Sequence, residues 1–261
     1  RGDRRPVRAV RGAFRFPLGR ARRASPWLPR QARSALPRPH PAWTSQNMLF
    51  PGVWQYKGVF NKDMDLINRV NSLLEDSSSP YNWQDAFVGY MEKRLDYRDC
   101  RDFKIGEVKN PSNIHEETLG KIWQDAYNAQ LPAVQDYCGR YNVKMDYWEV
   151  MNYIKYEPGQ HFQEHADHGF SYSATVSLVG YLNGDYEGGE LYFPKLNLTI
   201  KPEAGDLYIF PSTYLFSHIA KEVKEGVKYS LVTMLDYNDN AHSPEYMKMI
   251  YDKLYAQNKS L

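Results

Sequence analysis

Two rhythms of apolar and polar residues divide this chain, and the change falls near Asn142. Before it, helical spacing dominates. Met64, Ile67, Val70 and Leu74 recur every three or four residues after Asn61, which suits a helix N-cap. Leu119, Ile122, Trp123, Ala126, Val134, Tyr137 and Tyr141 predict one long amphipathic helix over residues 114–141, kinked near Pro132, whose ring removes a backbone donor. A short strand-like alternation covers residues 53–60. Residues 77–111 are polar, charged and aromatic without clean periodicity. A loop of that length inside a compact domain is often functional. It reads either as a substrate-facing lid or as a surface excursion with a short strand such as residues 86–91.

After Asn142 the spacing shortens to two. Residues 147–156, 174–182, 190–193, 198–201, 207–210, 217–223 and 227–235 are runs rich in β-branched or aromatic side chains. Pro158-Gly159, Asn183-Gly184, Gly188-Gly189 and Gly205-Asp206 supply turns between them. Many short strands at this spacing predict an antiparallel sandwich or barrel, a mainly β fold with flanking helices. A last helix is expected over residues 244–257, with Ser243 as N-cap and Pro244 as first residue.

Composition separates the first 47 residues from the rest. They hold twelve arginines, no lysine and one acidic residue, with prolines throughout. The remainder keeps 21 basic and 30 acidic residues, a net charge of about −9. Residues 1–47 therefore read as a disordered segment. An organelle transit peptide, a basic arm for an acidic partner, and sequence not natively translated before a start at Met48 are its three readings, with the last in front. Residues 48–261 read as one domain. Its acidity argues against non-specific nucleic-acid binding, which rests on neutralising phosphates. No apolar run reaches membrane-spanning length, so no membrane partner is expected and a soluble, cytoplasmic protein is the default. The 21 tyrosines suit tightly packed strands. Cys100 and Cys138 stand in no metal-ligand spacing and read as free thiols, with a single disulfide as the alternative.

The candidate chemistry lies in His165-Ala166-Asp167, His218 and Lys228. In a strand, residues i and i+2 share a face, so His165 and Asp167 would point together and Ala166 away. With His218 from another strand, two imidazoles and a carboxylate can bind one face of an iron(II) ion and leave the other open. Lys228 falls in an otherwise apolar run and shares a face with Ser230 and Val232. A lysine aimed into a barrel needs an anion to offset the cost of burial. No arginine follows Arg140, so a dicarboxylate held there would have to be held by lysine. A competing pattern, His161-Phe162-Gln163-Glu164-His165, fits an inverted zinc-protease signature but requires a helix where the sequence reads as strand. His161 and His168 are placed at the site rim or on the surface.

In order along the chain, Tyr156-Glu157-Pro158-Gly159, His165-Ala166-Asp167, Tyr181-Leu182-Asn183, Glu187-Gly188-Gly189-Glu190, Phe193-Pro194, Gly205-Asp206, Phe210, His218 and Lys228 resemble the motifs of the 2-oxoglutarate- and iron(II)-dependent dioxygenases, in particular the prolyl 4-hydroxylase-like branch. The resemblance covers roughly residues 145–237. It implies a double-stranded β-helix (jelly-roll) core with supporting helices. It also implies iron held by His165, Asp167 and His218, and the C5 carboxylate of 2-oxoglutarate held by Lys228. Tyr156, Tyr181 and Ser230 would be hydroxyl donors beside that co-substrate, although both tyrosines equally suit a barrel core. Oxygen would be the second co-substrate, and ascorbate binding goes with the family.

The implied reaction consumes 2-oxoglutarate and oxygen, releases succinate and carbon dioxide, and hydroxylates a C–H bond. Asp167 favours hydroxylation over halogenation, since related halogenases lack a carboxylate there. A prolyl or other side chain of a peptide or protein is the expected substrate, with a free amino acid or small metabolite as the alternative. A zinc hydrolase, a non-catalytic jelly-roll binding module and a nucleic-acid demethylase are weaker rivals; the last would be expected to carry arginines after His218. Oligomeric state is not readable.

Overall fold

Strand pairing after Asn142 builds two larger antiparallel sheets and a two-stranded one, and a segment expected to be loop joins both of the larger sheets. The computed structural model describes residues 43–88, 94–169 and 172–258. The elements begin with β1 (Ser45–Phe50), β2 (Val53–Lys57), α1 (Leu66–Glu75), β3 (Gln84–Asp85), β4 (Arg98–Asp99), β5 (Arg101–Ile105) and α2 (Ile114–Tyr141). Next come β6 (Tyr147–Trp148), β7 (Met151–Tyr156), β8 (His161–His165), β9 (Val176–Tyr181), β10 (Tyr186–Gly188) and β11 (Leu191–Phe193). The chain continues through β12 (Leu198–Ile200), β13 (Leu207–Pro211), β14 (His218–Ala220), β15 (Val223–Gly226), β16 (Lys228–Asp236) and α3 (Pro244–Asn258).

The larger sheet runs β1-β2-β13-β9-β16-β7-β5-β3, with β6 beside β16; the smaller runs β12-β11-β14-β8-β4, and β10 pairs with β15. Its central strand β9 is buried along its whole length because both faces are covered. On one face Leu178, Leu231 and Leu235 pack with Val70 of α1 and with Ile122 and Ala126 of α2. On the other, Val179, Tyr181 and Phe210 meet Leu191 and Phe193 of the smaller sheet. Period-two alternation thus sends one set of side chains to the helices and the other to the space between the sheets. Gly180 lies on the helix side, where a Cβ would stand 2.3 Å from the Phe60 ring.

Helix α2 matches its predicted span. The Asn113 side chain accepts from the Glu116 amide at 3.0 Å, and Asn142 ends the helix in a left-handed conformation. The helix runs on through Pro132. The buried Gln130 side chain fastens it to β16 by accepting from the Thr233 hydroxyl at 3.3 Å. The closing helix also fits its prediction, with Ser243 accepting from the Tyr246 amide at 3.1 Å.

Four expectations change. The boundary at 47/48 falls inside a strand: β1 starts at Ser45 and pairs with β2, and the Trp43 ring lies 5.1 Å from that of Tyr56. The rest of the expected disordered segment, residues 1–42, lies outside the described residues. Asn61 caps a short 3-10 turn rather than α1. Asp65, at φ 48°, breaks that turn from the helix, which begins at Leu66. Residues 77–111 contain β3, β4 and β5 rather than a plain loop, with β5 inserted beside β7. Of the strand suggested at 86–91, only residues 86–88 are described and none is in a strand. The run 217–223 divides after Ala220, and the second piece turns away to pair with β10. Cys100 and Cys138 are both free thiols. Among the described residues no helix is long and apolar enough to cross a membrane.

Candidate active site

His165 closes β8 and His218 opens β14, and the two stand directly opposite each other in the pairing of those strands. Each ring is fixed through Nδ1, which lies 2.8 Å from the Gln163 carbonyl in one case and 3.1 Å from the Phe216 carbonyl in the other. A backbone carbonyl can only accept, so both Nδ1 atoms carry a proton, which leaves Nε2 as the atom each ring can offer a metal. Those Nε2 atoms face Asp167, at 3.6 Å from Oδ1 for His165 and 3.9 Å from Oδ2 for His218. Burial, with His218 nearby, lowers the His165 pKa to about 3, which keeps the ring neutral. Asp167 is oriented by Ser177, whose hydroxyl donates to Oδ2 at 2.5 Å and lies 2.7 Å from Ser212 Oγ. One ligand atom from each of the three residues lies within 4.8 Å of the others. The strand-parity argument holds only for His165, because Asp167 sits in the bend after β8.

Lys228 occupies the opposite wall of the same cavity. It opens β16 opposite Tyr156 of β7, and Ser230 lies opposite Tyr181 of β9. All four side chains line the cavity, as do His165, Asp167 and His218. Although Lys228 begins its strand, it is only 1 % exposed. Its Nζ donates to the Gly189 carbonyl at 3.0 Å and stands 4.3 Å from the centre of the Tyr156 ring. Among the described residues it makes no ion pair. Burial therefore pushes its pKa down to about 8. Gly189 explains part of the Gly-Gly motif: at φ +65°, a Cβ there would stand 3.1 Å from Lys228 Cδ and crowd the stem.

Residues 151–235 match the model of the 2OG-Fe(II) oxygenase superfamily. That span contains the three-residue cluster and Lys228. It is similar to a 2OG-Fe(II) oxygenase domain.

The chain is similar to proteins of several kinds. A protein of Acanthamoeba polyphaga mimivirus, provisionally named a prolyl 4-hydroxylase, is 29 % identical over 118 residues, covering 40 % of this chain and 47 % of its own. A PKHD-type hydroxylase of Prochlorococcus marinus (strain MIT 9515) is 34 % identical over 103 residues, covering 36 % and 41 %. The chain thus spans less than half the length of these curated relatives. Among solved structures, a Trichoplax adhaerens prolyl hydroxylase in complex with a hypoxia inducible factor peptide fragment aligns over 70 % of this chain and 83 % of its own. The TM-score is 0.57 at 17 % identity. At that identity the likeness establishes the fold, a jelly-roll core.

The cavity also contains polar residues that the sequence reading missed. Arg98 of β4 and Asn152 of β7 line it. Arg98 was hidden in the aperiodic 77–111 stretch, and the absence of later arginines drew attention away from an earlier one. Its guanidinium lies over the Phe162 ring at 4.8 Å, and that ring stacks on His165 at 3.5 Å. Asn152 follows the same alternation as Ile154 and Tyr156, so strand parity alone would have placed it. The zinc-protease pattern fails because His161–His165 is a strand, not a helix. His161 and His168 stand outside the three-residue cluster; His168 Nδ1 instead meets the Ala174 carbonyl at 2.9 Å.

Proposed function

We propose that this chain is a 2-oxoglutarate- and iron(II)-dependent hydroxylase acting on a prolyl residue of a peptide or protein, with release of succinate and carbon dioxide. The observation that carries the reading is one cavity with two complementary walls. One presents two imidazole Nε2 atoms and a carboxylate; the other presents a buried ammonium that makes no ion pair among the described residues. The first donor set suits a ferrous ion with open positions, held by His165, Asp167 and His218. The second suits a carboxylate of 2-oxoglutarate, whose charge would offset the desolvation of Lys228. Tyr156, Tyr181 and Ser230 would flank that co-substrate. When bound, the metal and co-substrate supply the oxidising chemistry that no side chain provides.

The chain's own contribution is orientation. The Gln163 and Phe216 carbonyls fix the two imidazoles, Ser177 fixes the carboxylate, and the apolar lining of Ile154, Val179, Leu191 and Val232 limits access of water. The prolyl assignment follows the relatives named prolyl hydroxylases and the peptide bound in the Trichoplax structure. The test is oxygen-dependent succinate release from 2-oxoglutarate with added iron(II), in the presence and absence of proline-rich peptides. Release stimulated by such a peptide, with a mass gain of one oxygen atom on proline, is the expected result. A protein that neither binds 2-oxoglutarate nor turns it over would sink the proposal.

A further inference from the structure

Two buried polar atoms in the cavity wall have no hydrogen-bond partner: Arg98 Nε, a donor, and Asn152 Oδ1, an acceptor. Leaving either unmade is costly, on the order of one hydrogen bond to a buried group. Both residues line the cavity that also holds His165, Asp167, His218 and Lys228. Their sheet positions explain the grouping. Arg98 pairs with Phe162 in the smaller sheet, while Asn152 pairs with Lys104 of β5 and Val232 of β16 in the larger. The two orphan atoms therefore belong to different walls.

The two cations of the cavity differ in a way that decides what each can take. Lys228 makes no ion pair among the described residues, Glu190 acting on it only from a distance, and can accept a full negative charge. Arg98 is already matched: Nη2 pairs with Asp102 at 3.4 Å, Nη1 donates to the Phe87 carbonyl at 2.8 Å, and its side chain is 12 % exposed. Of its three nitrogens only Nε is left without a partner, with the Cys100 thiol near the guanidinium. An added carboxylate would meet a guanidinium whose charge is already answered, whereas a neutral carbonyl needs only the N–H. Asn152 Oδ1 is a neutral acceptor and lacks the charge to offset an ammonium.

The geometry points to Arg98 and Asn152 as specificity-determining residues that bind a neutral amide of the substrate, the carbonyl on Arg98 Nε and the N–H on Asn152 Oδ1. This rests on the oxygenase reading and deepens it. The substrate class is then an amide-linked residue of a peptide, not a free zwitterionic amino acid, whose ammonium and carboxylate would both be desolvated without counter-charge.

The test is calorimetric titration of the whole chain, saturated with manganese(II) in place of iron and with 2-oxoglutarate, so that binding is read without turnover. The probes are N-acetyl-L-proline methylamide, the corresponding N-acetyl-L-proline methyl ester, which lacks the amide N–H, and L-proline. The wild type should bind the methylamide roughly tenfold more tightly than the ester and more tightly still than free proline. In Asn152→Leu the amide-to-ester ratio should collapse to near one. Arg98→Lys keeps a cation for Asp102 but has no Nε; it should weaken both carbonyl probes by a similar factor and leave their ratio intact. The inference is overturned if the wild type does not prefer the methylamide, if it takes none of the probes, or if the amide-to-ester ratio survives Asn152→Leu. It is also overturned if Arg98→Lys leaves both affinities unmoved. A wild type that fails at the earlier step of binding 2-oxoglutarate defeats the oxygenase reading itself.

Discussion

The two ends of the cavity treat their polar groups in opposite ways. At the proposed metal end, the imidazoles of His165 and His218 are tied to backbone carbonyls and Asp167 is tied to Ser177, so the side chains are oriented before anything binds. At the lysine end, Lys228 is held by one carbonyl and an aromatic face, and its positive charge has no acid partner among the described residues. The first arrangement supplies geometry; the second holds an electrostatic demand. Preorganisation lowers the cost of binding, whereas an unmet charge makes the empty protein less stable and the filled one more so.

Breaking each end should therefore give different signatures. Replacing a proposed ligand, as in His218→Ala, is expected to have the largest effect. Manganese(II) affinity measured by calorimetry should fall by more than about 100-fold, beyond the range typical of outer-sphere partners. Retention of tight binding would remove His218 from the metal set. Next is Lys228→Met, where the signs should split. 2-Oxoglutarate affinity should drop by about 30-fold or more, as when one partner of a buried charge pair is lost. The ligand-free protein should nevertheless become more stable, by about 1 kcal/mol or more, because an unpaired ammonium gives way to an apolar chain of similar length. Metal affinity should stay. Denaturant melts and ligand titrations on the same variant check both signs, and a destabilised variant would contradict the unmet-charge account.

Much of this contrast was legible in the sequence, and the reasons differ by region. Lys228, Ser230 and Val232 share one strand and all line the cavity, so spacing of two residues reported their direction, while His165 and His218 were marked by residue type and order along the chain. Asp167 faces the histidines for a different reason, since the chain has already left the strand there and its Ser177 hydrogen bond does the aiming. The long helix announced itself through periodicity and its Asn113 cap. Arg98 and β5 were not legible. β5 reads Arg-Asp-Phe-Lys-Ile, and its two consecutive buried residues, Asp102 and Phe103, break any simple alternation. Burial of Asp102 is explained only by Arg98, a partner four residues away on a different strand. Ser177 and Ser212 are likewise 35 residues apart in sequence and meet only through the pairing of β9 with β13. Local pattern carries no trace of such pairings.

The lysine end can also be tested without mutation. Its pKa of about 8 means that the folded protein loses this proton well before an unfolded lysine would. A carboxylate pairs with the ammonium, so 2-oxoglutarate affinity should be flat below pH 8. Above it, affinity should fall by up to about tenfold per pH unit until the pKa of the paired lysine is reached. Folding stability should move the other way in that window. There the unfolded chain binds more protons at this site than the folded one, so the Lys228 contribution to stability rises with pH from about 8 toward the ordinary lysine value. Opposite slopes in a binding titration and a denaturant series, both lost in Lys228→Met, are the expected pattern. Parallel slopes would mean that Lys228 is not the group responsible.

The smallest expected effect probes the metal end from behind. Ser177 contributes no ligand; its hydroxyl holds Asp167 Oδ2 at 2.5 Å while also lying 2.7 Å from Ser212 Oγ. In Ser177→Ala the carboxylate keeps its charge but loses the bond that fixes its rotation. Manganese(II) affinity should fall by about tenfold, at the lower end for an outer partner, because both imidazoles stay anchored by backbone carbonyls. Once the metal is saturating, 2-oxoglutarate affinity should match the wild type, since nothing near Lys228 has changed. Ser212→Ala should cost less again, as it touches Asp167 only through Ser177. A Ser177→Ala loss as large as that of His218→Ala would mean that Asp167 depends on this hydroxyl for its placement altogether. No loss at all would mean that the bend after β8 is enough to aim the carboxylate.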